Sequence, residues 1–358
     1  MKIAVIGSTM MDIVSYTDEM PQAGETRRVN GFHIASGGKG ANQAIAAAKL
    51  GADVVMMTAV GDDMFGERSR RNFQDHHIDM SLVKTAEGTS NGIATIVVDA
   101  TGQNRILINP GANEKLSPAD IEAAGDELST CGLFVLQLEV PLETVYAAIR
   151  FAKAHGIKVL LNPAPASRDL SLDMACQCDF FVPNETELSI LVDKPVDTVE
   201  QVREAAESLV ERGLTNVIVT MGSRGSLLVT SEETQLVPSL KVDAVDSTGA
   251  GDAFIGCFVD TYARTEDVLG SMQRASRYAA LSVTRKARRI HTPMPESLPH
   301  SLTLDVCIPI GSGGNFSWKN KKSSSMTTVI SARPRFSSLS CSRVSSRSGR
   351  RPRASTMS

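Results

Sequence analysis

Short apolar runs alternate with stretches of helical periodicity over about the first 285 residues of the chain. The apolar runs predict strands at Lys2–Gly7, Val54–Ala59, Leu133–Leu138, Val159–Asn162, Phe180–Pro183 and Asn216–Met221. Apolar residues spaced three and four apart predict helices at Lys39–Leu50, Leu142–His155 and Val199–Arg212, with Gly51 as a stop signal. This alternation predicts an α/β fold with a mostly parallel sheet and helices on both faces. Active sites of such folds lie at the carboxyl ends of the strands.

Two segments depart from this pattern. Residues 13–35 and 91–109 alternate polar and apolar positions, as in Gly92–Val98 and Arg105–Ile108. We interpret them as short antiparallel strands that form a small subdomain outside the main sheet. The alternative is that they are edge strands of the same sheet.

Charge is unevenly distributed along the 358 residues, although the formal net charge is only −3. Residues 286–358 contain 13 Lys or Arg, 2 Asp or Glu and 17 Ser, without an extended hydrophobic period. We expect a disordered basic tail there, beyond a folded domain at 1–285. A nucleic-acid-binding arm is one interpretation, and sequence that never evolved to fold is the simpler one.

Bulk composition excludes several other classes of protein. No apolar run approaches the ~18 residues of a membrane-spanning helix, and the apolar start Ile3–Ile6 is too short for a signal peptide. None of the six cysteines forms a Cys-x-x-Cys pair. We therefore expect reduced thiols and a cytoplasmic protein.

The most informative motif is Asp246-Ser247-Thr248-Gly249-Ala250-Gly251-Asp252, which precedes an apolar helical stretch. A Gly-rich turn that opens a helix directs backbone N–H groups and the positive end of the helix dipole at one point, which makes an anion site. A carboxylate at its end suits a base beside a phosphate that is being transferred. An ordinary acidic helix start is the alternative.

A second Gly-rich motif is Ser36-Gly37-Gly38-Lys39-Gly40-Ala41-Asn42-Gln43. It is not a Walker P-loop, because Gly40 rather than Ser or Thr follows the lysine, and it lacks the third glycine of a Rossmann fingerprint. Paired glycines allow close approach of a small polar ligand. Lys39 and Asn42 would then donate hydrogen bonds to its hydroxyl groups.

Four further features follow predicted strands. Asn184-Glu185-Thr186-Glu187 suits magnesium or its water shell, or is a common helix start. Thr220-Met221-Gly222-Ser223-Arg224-Gly225 could hold nucleotide phosphates or form a plain hairpin turn. Asp12 and Glu139 also lie near strand ends, where each alone could be a solvated loop charge.

Together these motifs, in this order, resemble the ribokinase (pfkB-type) family of carbohydrate kinases over about residues 1–285. The resemblance implies a Rossmann-like α/β domain with a small β-sheet lid. It also implies an ATP-dependent sugar kinase that uses Mg²⁺ and K⁺, and that commonly forms a homodimer through its lids.

The resemblance assigns roles to individual positions. The family's catalytic base corresponds to Asp252, and its anion hole to the N–H groups of Gly249, Ala250 and Gly251. The sugar-binding positions correspond to Met10, Asp12, Gly38, Lys39, Asn42 and Glu139, together with Asp252. The nucleotide-binding positions correspond to Asn184, Thr220, Gly222, Ser223, Gly225, Gly251 and Ser276. Glu187 corresponds to the acidic residue associated with magnesium through water, and Asp246 and Thr248 to part of a potassium site.

One departure from the family's pattern bears on the sugar. Ribokinases commonly carry Asn two residues before the aspartate at position 12, whereas this chain has Met10. A thioether cannot hydrogen-bond a 2-hydroxyl as an amide can. The region that includes Gln137-Leu138-Glu139 and Asp179–Pro183 also looks closer to deoxyribokinases. We therefore favour 2-deoxyribose over ribose, phosphorylated at the 5-hydroxyl.

The second departure follows Val283-Thr284-Arg285-Lys286. Family members continue with a small-residue loop that completes the potassium site, and with a last helix. Here a Ser/Arg-rich sequence follows, for which a reading-frame shift is our hypothesis. The alternatives to a pentose kinase are therefore an inactive sugar-binding pseudokinase, or another kinase of the family such as a fructokinase or nucleoside kinase.

Overall fold

A computed structural model describes residues 1–284 and the two residues 308–309, which form a short strand. Apart from these two residues, the tail at 286–358 lies outside the described residues, and so do the predictions for it. The strands are β1 Ile3–Ile6, β2 Met10–Tyr16, β3 Gly31–Gly37, β4 Val54–Gly61, β5 Val83–Ala86, β6 Gly92–Val98, β7 Asn104–Asn109, β8 Leu133–Leu136, β9 Lys158–Leu161, β10 Phe180–Phe181, β11 Asn216–Thr220, β12 Ser226–Val229, β13 Thr234–Val237 and β14 Ile308–Pro309.

The helices follow the predicted periodicity closely. They are α1 Lys39–Lys49, α2 Met64–Asp75, α3 Pro118–Ala123, α4 Gly125–Leu128, α5 Leu142–His155, α6 Leu172–Ala175, α7 Glu185–Val192, α8 Val199–Val210, α9 Ala250–Thr265 and α10 Val268–Ser282, with 3₁₀ turns at Gly111–Lys115 and Gly222–Arg224. Helix α1 ends at Lys49, one residue before the predicted end at Leu50. Gly51 acts as the predicted stop signal, because its φ of 93° continues no right-handed helix.

The main sheet has the strand order β14-β13-β12-β11-β10-β9-β8-β1-β4-β5. The seven neighbouring strands β11-β10-β9-β8-β1-β4-β5 pair in parallel. Strands β12, β13 and β14 add antiparallel strands at one edge. The prediction of a mostly parallel sheet is confirmed. All six predicted strands exist, although β10 is only two residues long.

Helices cover both faces of this sheet. Along β8 the side chains alternate: Phe134 and Leu136 join a core with residues of α3, α5 and α8, whereas Leu133 and Val135 join a core with residues of α1, α9 and α10. Burial on both faces explains why this strand is an unbroken apolar run.

A second sheet of four strands, in the order β3-β2-β6-β7, forms the lid. The two irregular segments therefore form a separate sheet, and the alternative of edge strands in the main sheet is wrong. The outer pairs are antiparallel, but the central pair β2–β6 is parallel. Both central strands follow parallel strands of the main sheet, β1 and β5, so they leave it in the same direction.

Candidate active site

The segment Asp246–Asp252 forms a turn that opens helix α9, as predicted. Gly249 precedes the helix with a φ of 76°, a left-handed conformation that glycine adopts without steric cost. The carboxylate of Asp246 accepts the N–H of Thr248 at 2.9 Å. This bond stabilises the turn just before helix α9 begins.

The first N–H groups of helix α9 face open space. The N–H of Ala250 donates to the carbonyl of Ser247 at 3.2 Å, whereas those of Gly251 and Asp252 find no backbone acceptor within residues 1–284. A Cβ atom built at Gly249 or at Gly251 would meet no heavy atom within 4 Å. The helix start therefore combines free donors, the helix dipole and room for an anion.

Asp252 is only 8% exposed and is held by two amides of helix α1. Its Oδ2 accepts the Nδ2–H of Asn42 at 2.9 Å, and its Oδ1 accepts the Nε2–H of Gln43 at 3.0 Å. Close packing of α9 on α1 brings these groups together. A Cβ at Gly256, one turn after Asp252, would lie only 2.4 Å from the Cβ of Ala46.

The charge state of Asp252 reflects opposing effects. Burial raises the pKa of its carboxyl above the usual range, and Glu139 raises it further, whereas the Lys39 ammonium and the amides of Gln43 and Asn42 lower it. The net direction is upward. A buried carboxylate poised in this way matches the requirements of a general base.

Glu139 ties the end of strand β8 to the start of helix α1. Its Oε2 accepts the backbone N–H of Lys39 at 2.9 Å and also the hydroxyl of Ser8. A carboxylate at a helix N-terminus stabilises the dipole. The same contact places Glu139 beside Lys39, so the carboxylate is part of the site rather than a solvated loop charge.

Gly38 and Gly40 allow the start of helix α1 to touch the connection between β1 and β2. A Cβ at Gly38, whose φ is 90°, would come within 2.8 Å of the Met10 nitrogen. A Cβ at Gly40 would come within 2.7 Å of the Ser8 nitrogen. Both contacts involve backbone, which cannot move aside as a side chain can, so neither position accepts a larger residue without rearrangement.

The lid contributes Asp12 and Met10 from strand β2. Met10 is opposite Gly37 in the β2–β3 pair and is 4% exposed. A Cβ at Gly37 would lie 2.6 Å from Oδ1 of Asp12, so this carboxylate packs directly on the residue before Gly38. The predicted sugar-binding residues therefore lie together where the lid meets the main domain.

Asn184 and Glu187 form a reciprocal capping box at the start of helix α7. The Asn184 side chain accepts the N–H of Glu187 at 2.8 Å, and Glu187 Oε2 accepts the N–H of Asn184 at 2.8 Å. The interpretation as a helix start is therefore confirmed. Burial raises the pKa of Glu187, and Lys39 and Asp252 influence that pKa in opposite directions, which places all three charges in one electrostatic environment.

The segment Thr220–Gly225 makes the hairpin turn between β11 and β12. The N–H of Met221 donates to the carbonyl of Gly225 at 2.8 Å. Thr220 pairs with Asn184, which joins this turn to the start of α7. The 3₁₀ turn includes Gly222 and Ser223, and Gly222 has room around its Cα.

Ser276 lies on helix α10 and is 7% exposed. Its hydroxyl is 3.0 Å from that of Ser226, the first residue after the hairpin turn. The predicted nucleotide-binding residues from α7, β11 and α10 thus border one another at the carboxyl end of the sheet.

Metal-ligating side chains are sparse in the part of the chain that the structure describes. Within it no group of three or more His, Cys, Asp or Glu residues could hold a metal ion. Glu187 uses Oε2 in the capping box, and its Oε1 accepts no hydrogen bond from the described residues. One partly satisfied carboxylate fits magnesium that keeps most of its water and is shared with phosphates, but not an all-protein metal cage.

The sequence model described as pfkB family carbohydrate kinase matches residues 1–295. The chain belongs to the pfkB family of carbohydrate kinases. The match ends ten residues beyond the domain boundary expected at 285.

Named relatives of this kinase act on pentoses. A deoxyribokinase of Salmonella typhi is 53% identical over 305 residues, which cover 85% of this chain and 100% of the relative. A ribokinase of Schizosaccharomyces pombe is 41% identical over 314 residues, covering 85% and 96%. The structure of Arabidopsis thaliana ribokinase complexed with ribose and ATP is 29% identical, with a TM-score of 0.76 over 79% of this chain and 93% of that one.

Three buried amides of this kinase were missed by sequence reasoning as parts of the site. Gln43, Gln137 and Asn162 have exposures of 0%, 0% and 7% and line up behind Asp252. The available signal was a polar residue at the end of an apolar strand, as in Leu160-Leu161-Asn162. The sequence pattern places Asn162 at the end of a predicted strand and gives it no role in the site.

Asn113 was also missed. Its side chain accepts the N–H of Thr9 at 2.9 Å and donates to the carbonyl of Thr9 at 3.0 Å. It also donates to the carbonyl of Pro110 at 2.8 Å, just after strand β7. One fully buried amide thus clamps two of the four chain segments that connect the main domain to the lid, the one before β2 and the one after β7.

The structure bears on two broader expectations, one about membrane-spanning helices and one about the cysteines. No helix among the described residues is long and apolar enough to cross a membrane. Cys131, Cys176, Cys178 and Cys257 are free thiols, whereas Cys307 and Cys341 lie outside the described residues.

Proposed function

We propose that this kinase transfers the γ-phosphoryl group of ATP to the 5-hydroxyl of a pentose, with 2-deoxyribose preferred over ribose. The observation that carries the proposal is the position of Asp252. Its buried carboxylate lies at the open N-terminus of helix α9. It accepts a hydrogen bond from Asn42, and the charge of Lys39 acts on its pKa. The 53% identity to a deoxyribokinase supports the choice of sugar class.

In the proposed reaction Asp252 is the general base. It accepts the proton of the 5-hydroxyl as that oxygen attacks the γ-phosphorus, and the bond from this phosphorus to the oxygen that bridges it to the β-phosphate breaks, so that ADP leaves. The N–H groups at Gly249, Ala250 and Gly251 stabilise the negative charge on the migrating group. The long Ala250–Ser247 bond would yield its donor to a stronger acceptor.

The sugar would lie between the lid and helix α1. Asp12 and Glu139 supply carboxylates that accept hydroxyl hydrogens, while Lys39, Asn42 and the backbone at Gly38 supply donors. Asn42 would contact both the sugar and Asp252, which orients the attacking oxygen toward the base.

The nucleotide would lie along the border formed by α7, the β11–β12 turn and α10. The residues that we assign to it are Asn184, Thr220, Gly222, Ser223, Gly225 and Ser276. Glu187 would hold Mg²⁺ through water, where the ion neutralises phosphate charge. Asp246 and Thr248 would contribute to a K⁺ site, and the carbonyl of Val283 already binds the N–H of Asp246 at 3.2 Å beside it.

Sugar profiling tests this function directly. We expect ATP turnover with 2-deoxyribose and ribose, and kcat/KM at least about tenfold lower for fructose, which a one-methylene difference in fit can produce. A coupled ADP assay on the full chain measures all three sugars, with and without K⁺. Calorimetric binding of a pentose with no turnover of any sugar would contradict the proposal and favour the pseudokinase interpretation.

Replacement of Met10 tests the preference for the deoxy sugar. Met10→Asn should shift the ratio of kcat/KM values toward ribose by about fivefold, because one added hydrogen bond to the 2-hydroxyl contributes about 1 kcal/mol. Met10→Leu, which is apolar and of similar volume, should leave the ratio unchanged. A ratio that Met10→Asn does not move would count against an interaction between this position and the 2-hydroxyl.

The lid supports a proposal about assembly. Cross-strand neighbours on one face of a sheet point the same way, so Val14, Ile96 and Ile106 extend the face that carries Asp12. Strand β7 lies at the edge of the lid, and Ile106 and Ile108 on it are 49% and 55% exposed. An apolar edge strand of this kind is normally covered. We assign this face to a homodimer through the lids. We place the protein in the cytoplasm, whose reducing conditions suit the four free thiols among the described residues.

A further inference from the structure

A chain of buried amides runs from the backbone of one sheet strand to the carboxylate of Asp252. The Nδ2–H of Asn162 donates to the carbonyl of Val182 at 2.8 Å. The Oδ1 of Asn162 accepts the Nε2–H of Gln43 at 3.2 Å, and the same Nε2 donates to Oδ1 of Asp252 at 3.0 Å. Gln137 completes the chain, since its Nε2–H donates to Oε1 of Gln43 at 2.8 Å.

The chemistry at the far end fixes the direction of every hydrogen bond. A backbone carbonyl only accepts, so Asn162 must turn its NH₂ group toward Val182 and its oxygen toward Gln43. Gln43 must then present its own NH₂ group, which has one hydrogen for Asn162 and one for Asp252. The reversed orientation would place the oxygen of Gln43 against the oxygens of both Asn162 and Asp252.

A second observation is that the backbone at Gly7 leaves room for the amide of Gln137. A Cβ at Gly7 would lie 1.9 Å from Oε1 of Gln137, so the glycine leaves room for the amide. That oxygen is buried and accepts no hydrogen bond from the residues that the structure describes. An unsatisfied buried oxygen destabilises the fold. The side chain of Gln137 nevertheless has the orientation in which its nitrogen donates to Gln43.

From this directed chain we infer that Asn162 is a positioning residue. It touches neither substrate nor Asp252, yet through Gln43 it holds the Asp252 carboxylate as a hydrogen-bond acceptor in a fixed plane. With Oδ1 held by Gln43 and Oδ2 by Asn42, the remaining lone pairs of the carboxylate are available to the sugar hydroxyl. The inference rests on the proposed function, in which Asp252 is the base.

Other charged groups face the same carboxylate. Lys39 of helix α1 lowers the pKa of Asp252, and Glu139 after strand β8 raises it; burial is the largest influence and raises it. Glu187 of helix α7 is electrostatically linked to Asp252 as well. None of these groups bonds to Asn162, so its replacement leaves their charges in place.

The test is the pH profile of kcat/KM for the full chain with 2-deoxyribose and ATP. In Asn162→Leu the amide of Gln43 loses the acceptor that fixes its orientation, and it can turn its oxygen toward Asp252. Loss of a donor raises a carboxyl pKa, so the acid limb should move up by about one pH unit, which is about a tenfold loss well below the midpoint. On the plateau at high pH the loss should stay within about threefold, and KM for ATP should not change.

Asn216→Leu is the matched control. The Nδ2–H of Asn216 also donates to a carbonyl of the neighbouring strand segment, that of Asp179 at 2.9 Å, but at the amino end of strand β11. Its replacement should lower the melting temperature without moving the acid limb. If Asn162→Leu does not accumulate as folded protein, Asn162→Ala adds no bulk and carries the same expectation.

The outcomes separate this inference from the proposed function. A wild type that phosphorylates pentoses, with a variant whose profile falls equally at all pH values, would overturn the positioning role of Asn162 while the function stands. A wild type that turns over no sugar would overturn the function itself. An upward shift in both Asn162 variants, with the control unmoved, supports the inference.

Discussion

Asp252→Asn should lower kcat with 2-deoxyribose by about 10²–10⁴-fold, the usual contribution of a positioned general base. The amide keeps the size of the carboxylate and one acceptor oxygen, but it cannot take the proton of the 5-hydroxyl. Sugar binding should persist, because the other proposed contacts come from α1, β2 and the end of β8. A coupled ADP assay measures kcat, and calorimetry with 2-deoxyribose measures binding.

The control for this variant is Asp267→Asn. Asp267 caps helix α10 by accepting the N–H of Gly270 at 3.0 Å, and Asn caps helices about as well as Asp. The control should therefore retain wild-type turnover and stability. More than a tenth of wild-type kcat in Asp252→Asn, with intact binding, would show that another group takes the proton.

Ile106→Lys should dissociate the proposed dimer. In a symmetric interface each substitution occurs twice, and two buried ammonium groups without partners should weaken association by about 100-fold or more. Ile106 is already 49% exposed in the single chain, so the fold of the protomer should tolerate lysine. Sedimentation velocity over a range of concentrations measures the change in mass.

Met64→Lys provides the comparison for the lid variant. Met64 opens helix α2, outside the lid, and is 74% exposed. Lysine there should leave the oligomeric state unchanged. A monomeric wild type, or an Ile106→Lys protein with wild-type mass, would contradict assembly through this face.

Much of the fold was predictable because it depends on local periodicity. Strands such as β8 are apolar throughout since both faces are buried, whereas the lid strands are only partly buried and β7 is exposed along its whole length. The motifs also located Asp252, because a Gly-rich turn before a helix is a property of consecutive residues. The parallel pairing of β2 and β6 depends instead on which main-sheet strands precede them, which no local pattern records.

The amides behind Asp252 could not be found in this way. Gln43, Gln137 and Asn162 come from three distant segments. Gln137 and Asn162 are single polar residues next to apolar neighbours, and Gln43 follows Asn42 in a helix without a pattern that marks it. Only the packing of α9 on α1, with Gly256 against Ala46, brings Gln43 to Asp252. Hydrogen-bond direction then follows from a backbone carbonyl, which is a tertiary property.

The most direct test of the central claim is the structure of the product. We expect that the wild-type chain, ATP and 2-deoxyribose labelled with ¹³C yield ADP and a sugar whose C5 resonance shows coupling to ³¹P. A phosphorylated sugar whose C5 shows no coupling to phosphorus, or unchanged 2-deoxyribose and ribose after prolonged incubation with ATP, Mg²⁺ and K⁺, would contradict the assignment of a pentose 5-kinase.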